Sequence, residues 1–346
     1  MLARKEQVRR QFMKTYLITG GAGFIGTNLI YHLLETYADD VQIINLDLLT
    51  YAGRIENLNE AEKYNNYTFI QGDIGDKTLV KTIFETYDID YVIHLAACSH
   101  VDNSIETPEI FFKTNVLGTL NLLEVARTYW EKVDDYKDNK RFLYVSTDEV
   151  YGEVTLEPFT ENTSLNPRNP YSVSKTSGDL LTKAYYDTYE LPVLRTRCSN
   201  NYGPYQNVEK LIPRFIRSIF EGVNLPVYGK GLAIRDWLYV SDHCRALDLV
   251  VQKGRVGEVY NVGGHNEKNT NEIANILLET IKIEYPLFEV ESEITFVTDR
   301  KGHDMHYAIN PDKISLELGW EAKTTFDRGL SKTVQWYHTN KDFLDN

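Results

Sequence analysis

Three cysteines in 346 residues leave little room for covalent or metallic staples. Cys98, Cys198 and Cys244 lie far apart, with no CxxC pair and no Cys/His spacing of a zinc site. The pattern fits reduced thiols in a cytoplasm, with no metal expected, and argues against a disulfide framework. Long apolar runs are scarce too. Nothing approaches the roughly 18 consecutive apolar residues of a membrane span. The first dozen residues, MLARKEQVRRQF, are basic but lack an apolar h-region, so this segment reads as an exposed tail and not a secretory signal. Positive charge is in deficit, 37 Lys and Arg against 50 Asp and Glu, for a formal charge of −13. That balance disfavours nucleic acid as a partner, and an anionic substrate would need a local basic pocket.

What the chain does have is alternation. TYLIT (15–19), VQIINLD (41–47), YTFIQGD (67–73), YVIHLAA (91–97), RFLYVST (141–147) and LPVLRTR (191–197) read as buried strands. Helical patterns fall between them, at about 24–37, 77–87, 109–130 and 171–189. This rhythm predicts an α/β protein: a Rossmann-type, doubly wound parallel sheet with helices on both faces. From about Cys198 the chain carries more Pro, Gly and Asn and its elements shorten, which predicts a smaller C-terminal α/β lobe. The expected organisation is a tail (1–12), a dinucleotide-binding domain (13–197) and a partly interleaved substrate lobe (198–346).

Four signals carry chemistry. GGAGFIG follows the first strand and opens a helix: Gly20 for a tight turn, Gly23 for backbone approach to a pyrophosphate, Gly26 for helix–sheet packing. Asp47 ends the next strand, where a carboxylate accepts from a ribose diol and repels a 2′-phosphate, favouring NAD over NADP. In YSVSK, Tyr171 and Lys175 stand at i and i+4 on one helix face, and an ammonium near a phenol lowers its pKa toward that of a base. STDEVYG places Asp148 and Glu149 at the carboxyl end of a parallel strand, where ligands bind in open α/β sheets. Two carboxylates there can have their pKa values pushed apart into an acid and a base. The fourth signal is a scatter of basic residues in the second lobe, Lys210, Arg214, Arg235 and Arg300, from which a diphosphate pocket could be built.

Together TGGAGFIG, DLLTYAG, STDEVYG, NPYSVSK, RCSNNYGPYQ, EKLIP, YGKGLAIRDWLYVSDH and GGHNEK resemble the extended short-chain dehydrogenase/reductases, and within them the nucleotide-sugar 4,6-dehydratases. The likeness runs from about residue 14 to about 338. It implies tightly held NAD and a homodimer paired through a four-helix bundle. It assigns Thr147, Tyr171 and Lys175 to oxidation at sugar C4, and Asp148 and Glu149 to acid and base work at C6 and C5. It adds Phe24, Ile25, Asp73 and Ile74 to the cofactor contacts, and gives Asn200, Lys210, Arg235 and Arg300 to the nucleotide diphosphate. The implied substrate is dTDP-glucose-like or a UDP-N-acetylhexosamine.

The chain departs from that family in two places. Where the family has AAESHVDRS this chain has AACSHVDNS, so Cys98 replaces a glutamate and Asn103 an arginine. DRPGHDRR appears as DRKGHDMH, with Met305 and His306 replacing two arginines. Cys98 therefore stands at the catalytic edge, either as a compact filler or as a thiol acting on the sugar, while His100 reads as a structural hydrogen-bonding residue. A second reading follows from the thiol: a C5 epimerase or isomerase of a 4-keto or 5,6-unsaturated UDP-sugar, with Cys98 as proton donor. A third, a non-catalytic NAD-binding regulator, sits poorly with the survival of Thr147, Tyr171 and Lys175.

Overall fold

In the computed structural model, which describes residues 13–154, 157–298 and 305–345, the β-branched runs form strands β1 (Lys14–Thr19), β2 (Val41–Asp47), β3 (Tyr67–Gln71), β4 (Tyr91–His94), β5 (Arg141–Thr147) and β6 (Val193–Cys198). The central strands are buried on both faces, which is why they read as continuous apolar runs and not as alternating ones. A seventh strand, β10 (Val259–Val262), arrives from the second half of the chain and pairs with β6. The order β10-β6-β5-β4-β1-β2-β3 is parallel throughout. Chain direction across the sheet reverses between β1 and β4, which opens a crevice at their carboxyl ends.

Helices α1 (Phe24–Tyr37) and α8 (Val240–Lys253) cover one face through Leu29, Leu33, Leu247 and Val250. On the other face, α2 (Lys77–Thr86), α5 (Thr119–Trp130) and α6 (Pro170–Tyr189) bury Val80, Ile83, Leu122, Val125 and Tyr185. The second lobe centres on β9 (Ile234–Tyr239), which pairs with β7 (Asn200–Tyr202), β11 (Glu267–Asn269) and β13 (His306–Tyr307). A two-stranded pair, β8 (Leu225–Tyr228) with β12 (Ile294–Val297), lies beside it. Helices α7 (Leu211–Phe220), α9 (Thr270–Glu284) and α10 (Phe326–Thr339) close a separate core around Phe215, Trp237, Leu277 and Tyr337.

Two elements differ most from the sequence reading. The strand expected over 91–97 stops at His94, because its neighbour β1 ends at Thr19 and turns into the glycine loop. Leu95 to Ser99 therefore form a loop, and a short helix α3 (Val101–Glu106) follows. The single helix expected over 109–130 is three pieces: α4 (Pro108–Phe112), a π-helical stretch (Lys113–Gly118) and α5. The wider turn lets Asn115 point inward, where its side chain accepts from Cys98 N and donates to Cys98 O and Ser174 Oγ.

His94 bridges the crevice. The Thr119 hydroxyl donates to Asn115 O, so its oxygen accepts from His94 Nε2 at 2.9 Å. His94 Nδ1 is then left to accept from the Thr19 hydroxyl, at 2.7 Å. Burial, with a smaller push from Lys175, lowers the imidazole from 6.5 to about 3. A group depressed on folding contributes stability that is complete above pH 6.5 and lost as pH falls toward 3. The urea midpoint should therefore decline across that interval. His94→Asn should cost about 2–4 kcal/mol at neutral pH by removing the acceptor of the Thr19 hydroxyl and the donor to Thr119, and should weaken the decline.

Candidate active site

The glycine turn is dictated by its neighbours at two positions and by open space at a third. Gly20 has φ of +76°, and a Cβ there would stand 2.6 Å from Ala96 N. At Gly26 a Cβ would meet Gly20 O at 2.3 Å. Gly23 is different: its φ of −83° suits any residue, and a Cβ would touch nothing nearer than Gly20 O at 3.4 Å. Nothing inside the protein demands glycine there. The space it leaves lies in a cleft of about 340 Å³, where α1 begins with no side-chain cap. A helix N-terminus open to a glycine-lined cleft fits a pyrophosphate.

Asp47 stands across this cleft at the end of β2. Its Oδ2 accepts from Ala22 N at 2.9 Å and its Oδ1 from Leu49 N at 2.8 Å. Burial raises its carboxyl, and the two amides oppose that rise. Phe24, Ile25, Asp73 and Ile74 line the same cleft. These residues together fit a dinucleotide.

At the far end of the cleft Asn169 caps α6 in a reciprocal box with Ser172, and Pro170 starts the helix. Tyr171 and Lys175 thereby face the ends of β5 and β6. Tyr171 is buried, packs edge-on against Phe111, and has Thr147 beside its hydroxyl. Lys175 Nζ donates to Val145 O at 2.7 Å, and burial lowers it to about 8. The pKa drop expected for the Tyr171 phenol is absent in the protein alone. Burial, reinforced by Glu149, pushes it well above 10.

Thr147 caps the short 3₁₀ turn Asp148–Tyr151 by accepting from Glu149 N at 3.3 Å. Asp148 is 2% exposed, and its Oδ2 has no hydrogen-bond partner among the described residues. Burial, then Glu149 and Asp236, hold its carboxyl well above the usual range, which favours its protonated form. Glu149 is half-buried and lines both the dinucleotide cleft and a second cavity of about 430 Å³. Asn200 and Lys210 also line both. Arg235 lines the second cavity, with its guanidinium 4.4 Å from the Tyr307 ring centroid. Arg300 lies outside the described residues.

Cys98 sits in the loop after β4. Its Sγ is 3.7 Å from Thr114 Oγ1, and burial raises the thiol. It lines the dinucleotide cleft but not the second cavity. His100 caps α3 by accepting from Asn103 N, and no cluster of metal-ligating side chains occurs among the described residues.

Sequence reasoning missed two residues beside the reacting groups. Cys198, one of three scattered thiols by sequence, ends β6 in the dinucleotide cleft and is pushed up to about 12, chiefly by burial. Asp148 raises it further and Lys175 opposes. Asn115 had a weak signal: it is a polar residue on the buried side of an apolar helix.

The chain matches the family described as GDP-mannose 4,6 dehydratase over residues 17–333. It is similar to the dTDP-glucose 4,6-dehydratase of Salmonella typhimurium, 49% identical over 342 residues, covering 95% of this chain and 94% of that protein. Among solved structures it is similar to the dTDP-glucose 4,6-dehydratase of Bacillus anthracis in complex with NAD, at 44% identity and TM-score 0.85, over 95% of this chain and 98% of that one. The UDP-glucose 4-epimerase of Thermotoga maritima, solved with UDP-glucose, is similar at 30% identity and TM-score 0.84, over 94% of this chain and 99% of its own.

The space at Gly23 gives a direct test of the cleft. Gly23→Val should fold with an unchanged melting temperature yet bind a dinucleotide at least about tenfold more weakly, measured by calorimetry. Gly26→Val, which meets backbone, should lower the melting temperature itself.

Proposed function

The chain belongs to the GDP-mannose 4,6 dehydratase family and is an NAD-dependent nucleotide-sugar 4,6-dehydratase, and we propose that its substrate is dTDP-glucose. Identity near one half to enzymes named for that sugar, against 30% to an epimerase solved with UDP-glucose, supports this choice.

One observation carries the residue assignment: an enclosed Asp148, whose burial favours the protonated form, beside a half-buried Glu149 that lines both cavities. An enzyme that only oxidises and reduces C4 needs its tyrosine and lysine and no second proton pair. A 4,6-dehydratase must also take a proton from C5 and give one to the departing C6 oxygen.

In this reading Tyr171 takes the C4 hydroxyl proton, Thr147 orients that hydroxyl, and Lys175 supplies positive charge from behind the phenol. NAD, when bound, would supply the hydride acceptor for C4 and the hydride donor for C6, and its positive ring would offset the burial that disfavours the phenolate. The C4 ketone acidifies the C5 hydrogen, which Glu149 removes. Asp148 protonates the C6 oxygen, the C6–O bond breaks, and water leaves. Glu149 returns the proton to C5, and the product is a 4-keto-6-deoxy sugar.

Gly20, Gly23, Gly26, Phe24 and Ile25 hold the dinucleotide, with Asp47, Asp73 and Ile74 across from them. Asn200, Lys210 and Arg235 hold the nucleotide diphosphate. Cys98, held beside Thr114 in the loop after β4, packs against the cofactor, and Glu149 in place of this thiol returns the proton to C5. Helices α5 and α6 lie side by side, and on and beside them Leu117 and Leu180 are exposed apolar residues. The homodimer forms there. Among the described residues no helix is long and apolar enough to cross a membrane, and three unpaired thiols suit a reducing cytoplasm.

Incubation with dTDP-glucose and UDP-N-acetylglucosamine separately, with products read by NMR, should give a 4-keto-6-deoxy sugar from the first alone. Conversion of only the second would overturn the substrate. Glu149→Gln should lower kcat by on the order of 10²–10⁴ while reduced-nicotinamide absorbance accumulates. Cys98→Ala should keep its rate and give the same C5 configuration in D₂O. Leu117→Glu combined with Leu180→Glu should shift the sedimentation coefficient from dimer to monomer.

A further inference from the structure

We propose that the buried constellation of Asp179, Arg197 and Tyr151 is a positioning device that fixes the acid–base turn against the helix of Tyr171 and Lys175, and so governs elimination more than the first oxidation. The inference rests on the roles assigned above to Asp148 and Glu149.

Asp179 lies one helical turn beyond Lys175 on α6 and is wholly buried. Its Oδ1 accepts from Arg195 Nη1 and Arg197 Nη2, each at 3.0 Å, and its Oδ2 from Arg197 Nε at 2.8 Å. Both arginines belong to β6, where Arg197 stands opposite Ser146 of β5 and Asn261 of β10. The remaining arm of Arg197, Nη1, donates to the Tyr151 hydroxyl oxygen at 2.8 Å. That hydroxyl in turn donates to Asn261 Oδ1 at 2.8 Å. The guanidinium also sits 4.8 Å from the Tyr151 ring centroid.

Tyr151 is the last residue of the 3₁₀ turn that starts at Asp148. One end of that turn is therefore fixed by β5. The other is fixed, through one guanidinium, to the helix that carries the C4 chemistry. None of Tyr151, Arg197 and Asp179 lines either cavity, so none can touch the sugar. Stability alone is a weak reason for burying these charges, since well-packed apolar groups often serve as well or better. What a bidentate Arg–Asp pair adds is a fixed direction.

The two steps are held separately. Tyr171 and Lys175 have their own partners in Ser104, Phe111 and Val145. Asp148 and Glu149 depend on the turn. Loosening its Tyr151 end displaces the two carboxyl groups while leaving the phenol and the ammonium in place.

Tyr151→Phe keeps the ring and its stacking on Arg197 and removes only the oxygen. In single turnovers with dTDP-glucose, C4 oxidation should proceed at close to the parent rate. Reduced-nicotinamide absorbance should then persist, kcat should fall about 10- to 100-fold, KM should change little, and deuterium entry at C5 from D₂O should slow. Asp179→Glu, which keeps the charge and moves it by one methylene, should give the same split, so the test survives if one variant folds poorly. Unchanged turnover in both folded variants would overturn the proposal, as would equal loss of oxidation and elimination. The underlying assignment fails separately, by full turnover of Glu149→Gln. If this proposal alone is wrong, Glu149→Gln still stalls while Tyr151→Phe does not.

Discussion

His94 accepts the Thr19 hydroxyl proton on one nitrogen and donates from the other to Thr119, which leaves no freedom in the protons of the crevice between β1 and β4. The chain of contacts continues through Asn115 to Cys98 and Ser174, and so reaches from the glycine turn to the helix of Tyr171 and Lys175. Every group in it is neutral and nearly every one is buried. A single missing partner would strand a polar atom in an apolar layer. The wall of the dinucleotide cleft therefore depends on an imidazole that lines neither cavity.

The same logic, applied to charge, separates the two carboxyl groups of the DEVYG turn. They are neighbours in sequence, yet Asp148 is enclosed and Glu149 opens onto both cavities. Enclosure favours the neutral form of the first, while the second keeps access to both cavities. An anionic protein can in this way accept an anionic nucleotide sugar. Enclosure shifts one of the two acids of the turn toward its uncharged form, and Lys210 and Arg235 line the second cavity.

Local features were legible in the sequence because their physics is local. The glycine turn, Asp47 at the end of β2 and the i, i+4 pair Tyr171/Lys175 each need only a few adjacent residues to be recognised. What escaped detection depends on register between distant strands. Cys198 faces Thr147 across the β5–β6 pair, and no spacing within either strand announces this. Asn115 points inward only because the helix widens into a π turn. Asp179 shares the Tyr171/Lys175 face, but nothing in its spacing points to its partners on β6. The acidity of Tyr171 misled for a related reason: an ammonium four residues away was legible, while complete burial and the proximity of Glu149 were not.

The seventh strand ties the site to the order in which the chain is made. β10 completes the sheet, so during synthesis the outer edge of β6 waits, unpaired, until Val262 has left the ribosome. At about 5–20 residues per second that interval lasts several seconds. A bare apolar edge of such length is a template for pairing with another nascent chain. β6 reads VLRTRC, and two of its six side chains are arginines. Until Asp179 and β10 enclose them, those cations make the waiting edge a poor partner for a neighbour's strand. The guanidinium that later holds Tyr151 begins its life as a guard against aggregation.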